Sequence, residues 1–207
     1  MQHFDKQAKE WDNDPTKFLR ANKVAVEIKK FIKPSKNSKA LEFGCGTGLL
    51  SYQLKDYFKT ITLTDTSKGM LTVLQQKITK EGISNFHPLL INLLEEKLSE
   101  NHFDVIYTMM TLHHILDISK ILNTFNSLLK TDGFLCIADL VKEDGSFHAN
   151  HPDFEGHNGF DKDELSEILS KNGFKVESYK IYYEIEKEIE NKIKKYPLFL
   201  MICKKIS

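Results

Sequence analysis

The run Ala40-Leu41-Glu42-Phe43-Gly44-Cys45-Gly46-Thr47-Gly48-Leu49-Leu50 decides how the rest of this 207-residue chain is read. An apolar stretch carrying one acid leads straight into glycines at every second position, and a helical pattern starts at Leu49. That order predicts a strand, a tight turn and a helix N-terminus. Glycine serves such a turn because it accepts positive φ and lacks a Cβ, so a flat, polar ligand can lie against bare backbone.

Working outward, strands are expected over residues 60–64, 86–91, 103–109 and 134–140, with helices over 48–58, 68–80 and 118–129 between them. Gly82 suits the C-terminal end of the second of these helices. Near-continuous apolar strands alternating with helices imply a parallel sheet covered on both faces. Upstream, Phe18, Leu19, Val24, Ile28, Phe31 and Ile32 predict an amphipathic helix ending before Pro34. Phe4, Ala8 and Trp11 fall at helical spacing in an arm that Pro15 is expected to break, and that arm is expected to lie over another surface. Residues 141–160 hold three histidines and three phenylalanines without a period, which predicts a functional loop. A helix over 161–171, with Asp161 as N-cap, and strands over 174–185 and 197–204 complete one domain, 1–207, with residues 1–33 as a helical arm or lid.

A dinucleotide fingerprint needs a third glycine where this chain has Leu49, which disfavours a nicotinamide dehydrogenase. The run Glu42-x-Gly44-Cys45-Gly46-Thr47-Gly48, with Asp65 closing the next strand, instead resembles the class I S-adenosylmethionine-dependent methyltransferases. Leu112-His113-His114, after the fourth strand, resembles the small-molecule members. The resemblance implies a Rossmann-like α/β fold with a seven-stranded, mostly parallel sheet, helices on both faces and the last strand antiparallel. It also implies S-adenosylmethionine as cofactor and a small-molecule acceptor with an O, N, S or C nucleophile. Gly44, Gly46 and Gly48, flanked by Glu42 and Cys45, are expected against the cofactor's amino-acid part, and Asp65 on its ribose hydroxyls, two of which one carboxylate can accept. Thr66 and Met70 are expected to flank the adenine. Asn92, beside Leu93, stands where the family has an aspartate near the adenine amino group. Met109 is expected against the adenine or the methionine chain, and Trp11, unless it only packs, is expected to face the sulfonium from the arm, as an aromatic ring faces other cations.

His113 and His114 are neighbours whose side chains diverge, so one packs or caps, and His114 is expected in the pocket. His148 and His157, together with Phe147, are expected on a substrate lid; a histidine near neutral pKa can act as base. Asp139 ends the fifth strand where it can face a substrate. His148 and His151 lack the helical register and intervening glutamate of zinc hydrolases, so no metal is expected. A rival reading is a non-catalytic cofactor-binding protein that acts through a partner.

The 29 basic and 29 acidic side chains balance, which points away from a nucleic-acid or acidic-membrane partner. No uninterrupted apolar run approaches the roughly 18 residues that span a bilayer, and no signal core is visible. Cys45, Cys136 and Cys203 are far apart and in no metal or disulfide spacing, as expected of reduced thiols in a cytoplasmic protein.

Overall fold

The computed structural model describes residues 2–150, 153–189 and 191–206. Seven strands form one sheet in the order β3-β2-β1-β4-β5-β7-β6: β1 Lys39–Phe43, β2 Thr60–Asp65, β3 Phe86–Leu90, β4 Phe103–Met109, β5 Leu129–Leu140, β6 Phe174–Ile189 and β7 Lys192–Lys205. Strands β1 to β5 pair in parallel, and β7 runs antiparallel to both neighbours. This is the Rossmann-like arrangement the sequence implies.

Period-two alternation sends each strand's side chains to two separate cores. Ala40, Tyr107, Cys136 and Leu140 pack with helices α2 (Pro15–Ile32), α3 (Leu49–Leu54) and α4 (Lys68–Glu81). Leu41, Ile106, Leu135 and Ile137 pack with α5 (Ile118–Leu128) and α6 (Lys162–Lys171) on the opposite face. Among the described residues no helix is long and apolar enough to cross a membrane.

Local rules account for most boundaries. Ser67 caps α4 by accepting from the Met70 amide, and Gly82 closes that helix in the left-handed region. Asp161 caps α6. Pro15 does not break the chain as expected. With Asp14 accepting from the Thr16 amide, it stands in the first turn of α2, where a missing N–H costs nothing. The last two strands exceed their expected lengths and form a long ribbon through the lysine-rich segment, where Asn191 takes positive φ (60°). Strand β5 likewise begins earlier, with Asp132 at positive φ (63°) and a register shift against β4.

Candidate active site

The C-terminal ends of β1 and β4 meet where strand order reverses, the place at which open α/β sheets leave a crevice. Gly44, Gly46 and Gly48 all take positive φ there (65°, 53° and 79°). A Cβ on Gly44 would collide with Thr111, whose hydroxyl donates to the Gly44 carbonyl (3.2 Å). At Gly46 the nearest groups to a Cβ would be Met70 Sδ (3.9 Å) and Trp11 Nε1 (4.0 Å), so bare backbone faces a gap between a thioether and an indole.

Asp65 stands beside this gap. Its Oδ2 accepts the Gly46 amide (2.7 Å) and its Oδ1 the Ser67 amide (2.8 Å), fixing the carboxylate against the turn. Burial raises its pKa, backbone N–H groups of Ser67, Gly46 and Thr66 oppose that rise, and the Asp5 charge adds to it. Each of these oxygens can accept a second hydrogen bond, the pair of acceptors that the two hydroxyls of a vicinal diol require.

Glu42, expected against the cofactor, is buried. Strand alternation turns it beneath the turn, where it is buried and accepts from the Ser51 amide (3.2 Å) and hydroxyl, the latter also 2.7 Å from the Tyr107 hydroxyl. Burial pushes its carboxyl up to about 8, against an ordinary 4.5, despite the Ser51 hydrogen bonds that pull it down. A carboxyl raised on folding adds stability that is full below the unfolded pKa and drains away as pH climbs through the folded one. Glu42→Gln is therefore expected to flatten the pH dependence of urea unfolding between about pH 5 and 8. A wild-type-to-variant difference constant across that range would show that Glu42 does not titrate this way.

Two other expected contacts are engaged within the chain. Leu93 is buried among the α5-side core residues, and the Asn92 side-chain oxygen accepts the Leu94 amide (3.1 Å), closing a turn. Cys45 packs in the α2-side core. Thr66 is exposed, Met70 is buried, and Met109 is half-buried against the α2-side core.

The arm lies across the crevice, as α1 (Gln2–Gln7) followed by a 3₁₀ turn (Ala8–Asn13). Asp5 accepts the Ser67 hydroxyl and Gly69 amide (both 2.7 Å) at the start of α4. Asp12 accepts from Thr47 Oγ1 (2.5 Å) and Lys77 Nζ (2.7 Å) beside the glycine turn. Phe4 meets Trp11 edge-on (5.8 Å between centroids) and His114 on the far side (5.4 Å).

The histidines gather beyond Phe4. His113 is the buried one: its Nδ1 is 2.6 Å from Asp139 Oδ1, and its amide donates to Oδ2 (3.2 Å). Asp139, expected to face a substrate, is itself wholly buried and also accepts the Leu140 amide (2.7 Å). His114 is exposed, its ring set at right angles to that of Phe4. Desolvation lowers its pKa, and the neighbouring His113 lowers it further, so it is neutral at pH 7. His148 reaches the same cluster, stacked on Phe154 (3.7 Å) and 5.2 Å from His113.

The loop is pinned at both ends, since Lys142 and Glu143 donate their amides to Phe160 and Asn158. His157, expected on a substrate lid, serves that pinning. Its amide donates to the His113 carbonyl (2.7 Å), and its Nε2, necessarily protonated, donates to the Ile115 carbonyl (2.9 Å). His151 lies outside the described residues.

A model described as "Methyltransferase domain" matches residues 17–179. The chain belongs to the methyltransferase-domain family. It is 37% identical over 143 residues to an uncharacterized methyltransferase of Schizosaccharomyces pombe, covering 65% of this chain and 50% of that protein. It is 29% identical over 157 residues to a ubiquinone biosynthesis O-methyltransferase of Pelagibacter ubique, covering 69% and 64% respectively. The chain thus spans about half to two thirds of the length of these curated relatives. A solved chain from the complex of the Haloferax volcanii Trm112 methyltransferase activator with a methyltransferase shares the fold, with a TM-score of 0.80 at 14% identity over 99% of this chain and 98% of that one.

Phe154 and Phe4 join the site without a sequence signal that assigns them there; Asp139, expected as a substrate-facing acid, is instead the partner of His113. His113 and His114 have the same chemistry one residue apart, and only the distance to Asp139 separates them.

Proposed function

We propose that this protein transfers a methyl group from S-adenosylmethionine to a small-molecule acceptor held between the histidine cluster and the N-terminal arm. The observation that carries this reading is the position of the Asp139–His113 pair at the same sheet edge as the glycine turn and Asp65.

S-adenosylmethionine, when bound, supplies an electrophilic methyl group on a sulfonium sulfur. Gly44, Gly46 and Gly48 would take its amino-acid part on bare backbone, and Asp65 its ribose hydroxyls. Thr66, Met70 and Met109 would line the nucleoside, and Trp11, whose Nε1 lies 4.0 Å from where a Gly46 Cβ would stand, would cover the turn. The arm, tied down through Asp5 and Asp12, excludes water from this space.

Asp139 fixes the tautomer of His113: its side chain, which accepts two backbone amides, also accepts the Nδ1 proton as a hydrogen bond, which leaves Nε2 as the basic nitrogen. Nε2 accepts the acceptor's proton as its nucleophile is alkylated. His114, neutral at pH 7, and His148, braced on Phe154, orient the acceptor by hydrogen bonding. The three free, buried cysteines support a cytoplasmic, reducing location.

Calorimetric titration with S-adenosylmethionine, followed by a methyl-acceptor screen with His148→Ala beside the wild type, tests the reading. Saturable binding and turnover that falls by about a hundredfold in the variant are expected. Binding without turnover on any of a broad metabolite pool would favour the non-catalytic reading.

A further inference from the structure

Of the 29 basic side chains only one is an arginine, Arg20. It stands near the start of α2 and is largely buried, and its Nε is closed to solvent with no partner among the described residues. Asp14, the carboxylate whose charge it feels, is engaged in capping α2 through the Thr16 amide (2.9 Å) and hydroxyl (2.7 Å).

Strand β6 meets this helix through a register shift between Ile181 and Tyr183. A bulge changes the phase of a strand by one residue, so side chains on both sides of it can share a face. Before the bulge Lys180 pairs with Glu27 of α2 (2.9 Å); after it Tyr183 lies under Lys23 and Ile185 packs on the α2-side core. Tyr182, inside the shift, is also in that core, and its hydroxyl is buried without a partner among the described residues.

Two lysines complete the group. Lys187 donates to the Phe147 carbonyl (2.7 Å) and lies 3.5 Å from that ring's centroid, one residue from His148. Lys17 donates to the Trp11 carbonyl (3.3 Å) and lies 3.5 Å from the indole. Both have pKa values lowered, first by burial, and both feel Arg20 as a like charge. Glu143 adds a negative field at Lys187, but its Oε2 is taken by the Phe147 amide and its Oε1 is buried without a partner among the described residues. The Arg20 Nε and the Tyr182 hydroxyl, both buried without a partner among the described residues, destabilise the folded state unless an anion offsets them.

We propose that Arg20, Tyr182, Lys17 and Lys187 anchor an anionic group, a carboxylate or phosphate, carried by the methyl acceptor. The inference rests on the methyl-transfer reading above. A planar guanidinium grips two oxygens of such a group at once, which an ammonium cannot do, and this gives a reason for one arginine among lysines. The Tyr182 hydroxyl donates a further hydrogen bond. With its anion held here, the rest of the acceptor extends past Phe147 toward His148 and His113.

The full chain, saturated with S-adenosylhomocysteine, is titrated with benzoate, malonate and inorganic phosphate while the fluorescence of Trp11, the only tryptophan, is followed. At least one of these anions is expected to saturate the signal, with affinity about tenfold weaker in Arg20→Met and in Lys187→Met. Tyr182→Phe is expected to weaken it severalfold, and S-adenosylhomocysteine affinity, read by calorimetry, is expected to stay unchanged in all three. Lys187→Met, at a half-exposed strand position, keeps the test if Arg20→Met does not fold. Anion affinity equal in wild type and variants, or no saturation by any of the three, overturns the proposal. So does an Arg20→Met variant that loses affinity for S-adenosylhomocysteine but not for 5′-methylthioadenosine, because the cluster then holds the cofactor's own carboxylate. If the wild type binds no S-adenosylhomocysteine, it is the methyl-transfer reading that fails, and anion titration of the free protein still reads the cluster.

Discussion

Asp65→Ala is expected to lower the affinity for S-adenosylmethionine and S-adenosylhomocysteine by at least about a hundredfold, since each hydrogen bond to a charged acceptor is worth about 1.5–3 kcal/mol and the ribose offers two. The substitution also releases the Gly46 and Ser67 amides that the carboxylate now holds, so the turn loses its brace as well as its acceptor. Circular dichroism should still report a folded chain, because both cores lie below the crevice and keep their packing. Calorimetry with S-adenosylhomocysteine is the direct measurement, and Asp65→Asn, which keeps one acceptor oxygen, should fall between alanine and wild type. Affinity unchanged in both variants would remove the ribose assignment and, with it, the main support for the cofactor's placement.

Asp139→Asn is expected to have the second large effect, on turnover. The amide fills the same volume but carries no charge and offers one acceptor oxygen, so it cannot hold the His113 Nδ1 proton and both backbone amides as the carboxylate does. His113 then populates the other tautomer, and kcat at neutral pH should drop by about 10²- to 10⁴-fold, the usual worth of a positioned base. The affinity for S-adenosylhomocysteine should move little. Activity should recover as pH rises toward the acceptor's own pKa, because a deprotonated acceptor needs no base. That recovery separates a positioning role from a structural one: general loosening of the fold lowers kcat and melting temperature together and leaves the shape of the pH profile alone. Wild-type kcat in a folded Asp139→Asn protein would dismiss His113 as the base.

The histidine cluster shows how far a sequence can be read. The Leu112-His113-His114 run is visible in the chain, but not which ring is buried, because the two residues share their chemistry and nearly their position. The choice is made by Asp139, 26 residues away, which the pairing of β5 with β4 brings within 2.6 Å of His113. His157 was equally open: its spacing suited a lid, and its contact with the Ile115 carbonyl makes it a tie that holds the loop down. Glu42 had the right type and place for a ligand contact, but the alternation of a five-residue strand turned it beneath the turn.

By itself the sequence determined the order of strands and helices, the glycine turn, the helix caps at Gly82 and Asp161, and the placing of Asp65 at the end of β2. Those features follow from backbone preferences and apolar periodicity, which act over a few residues and leave their mark in a short window. Tertiary structure alone decided the Asp139–His113 pair, the seat of Phe4 and Trp11 against the crevice, and the burial of the Arg20 Nε and the Tyr182 hydroxyl. Electrostatics and burial depend on distance in space, and no local pattern encodes which distant residues the chain will bring together.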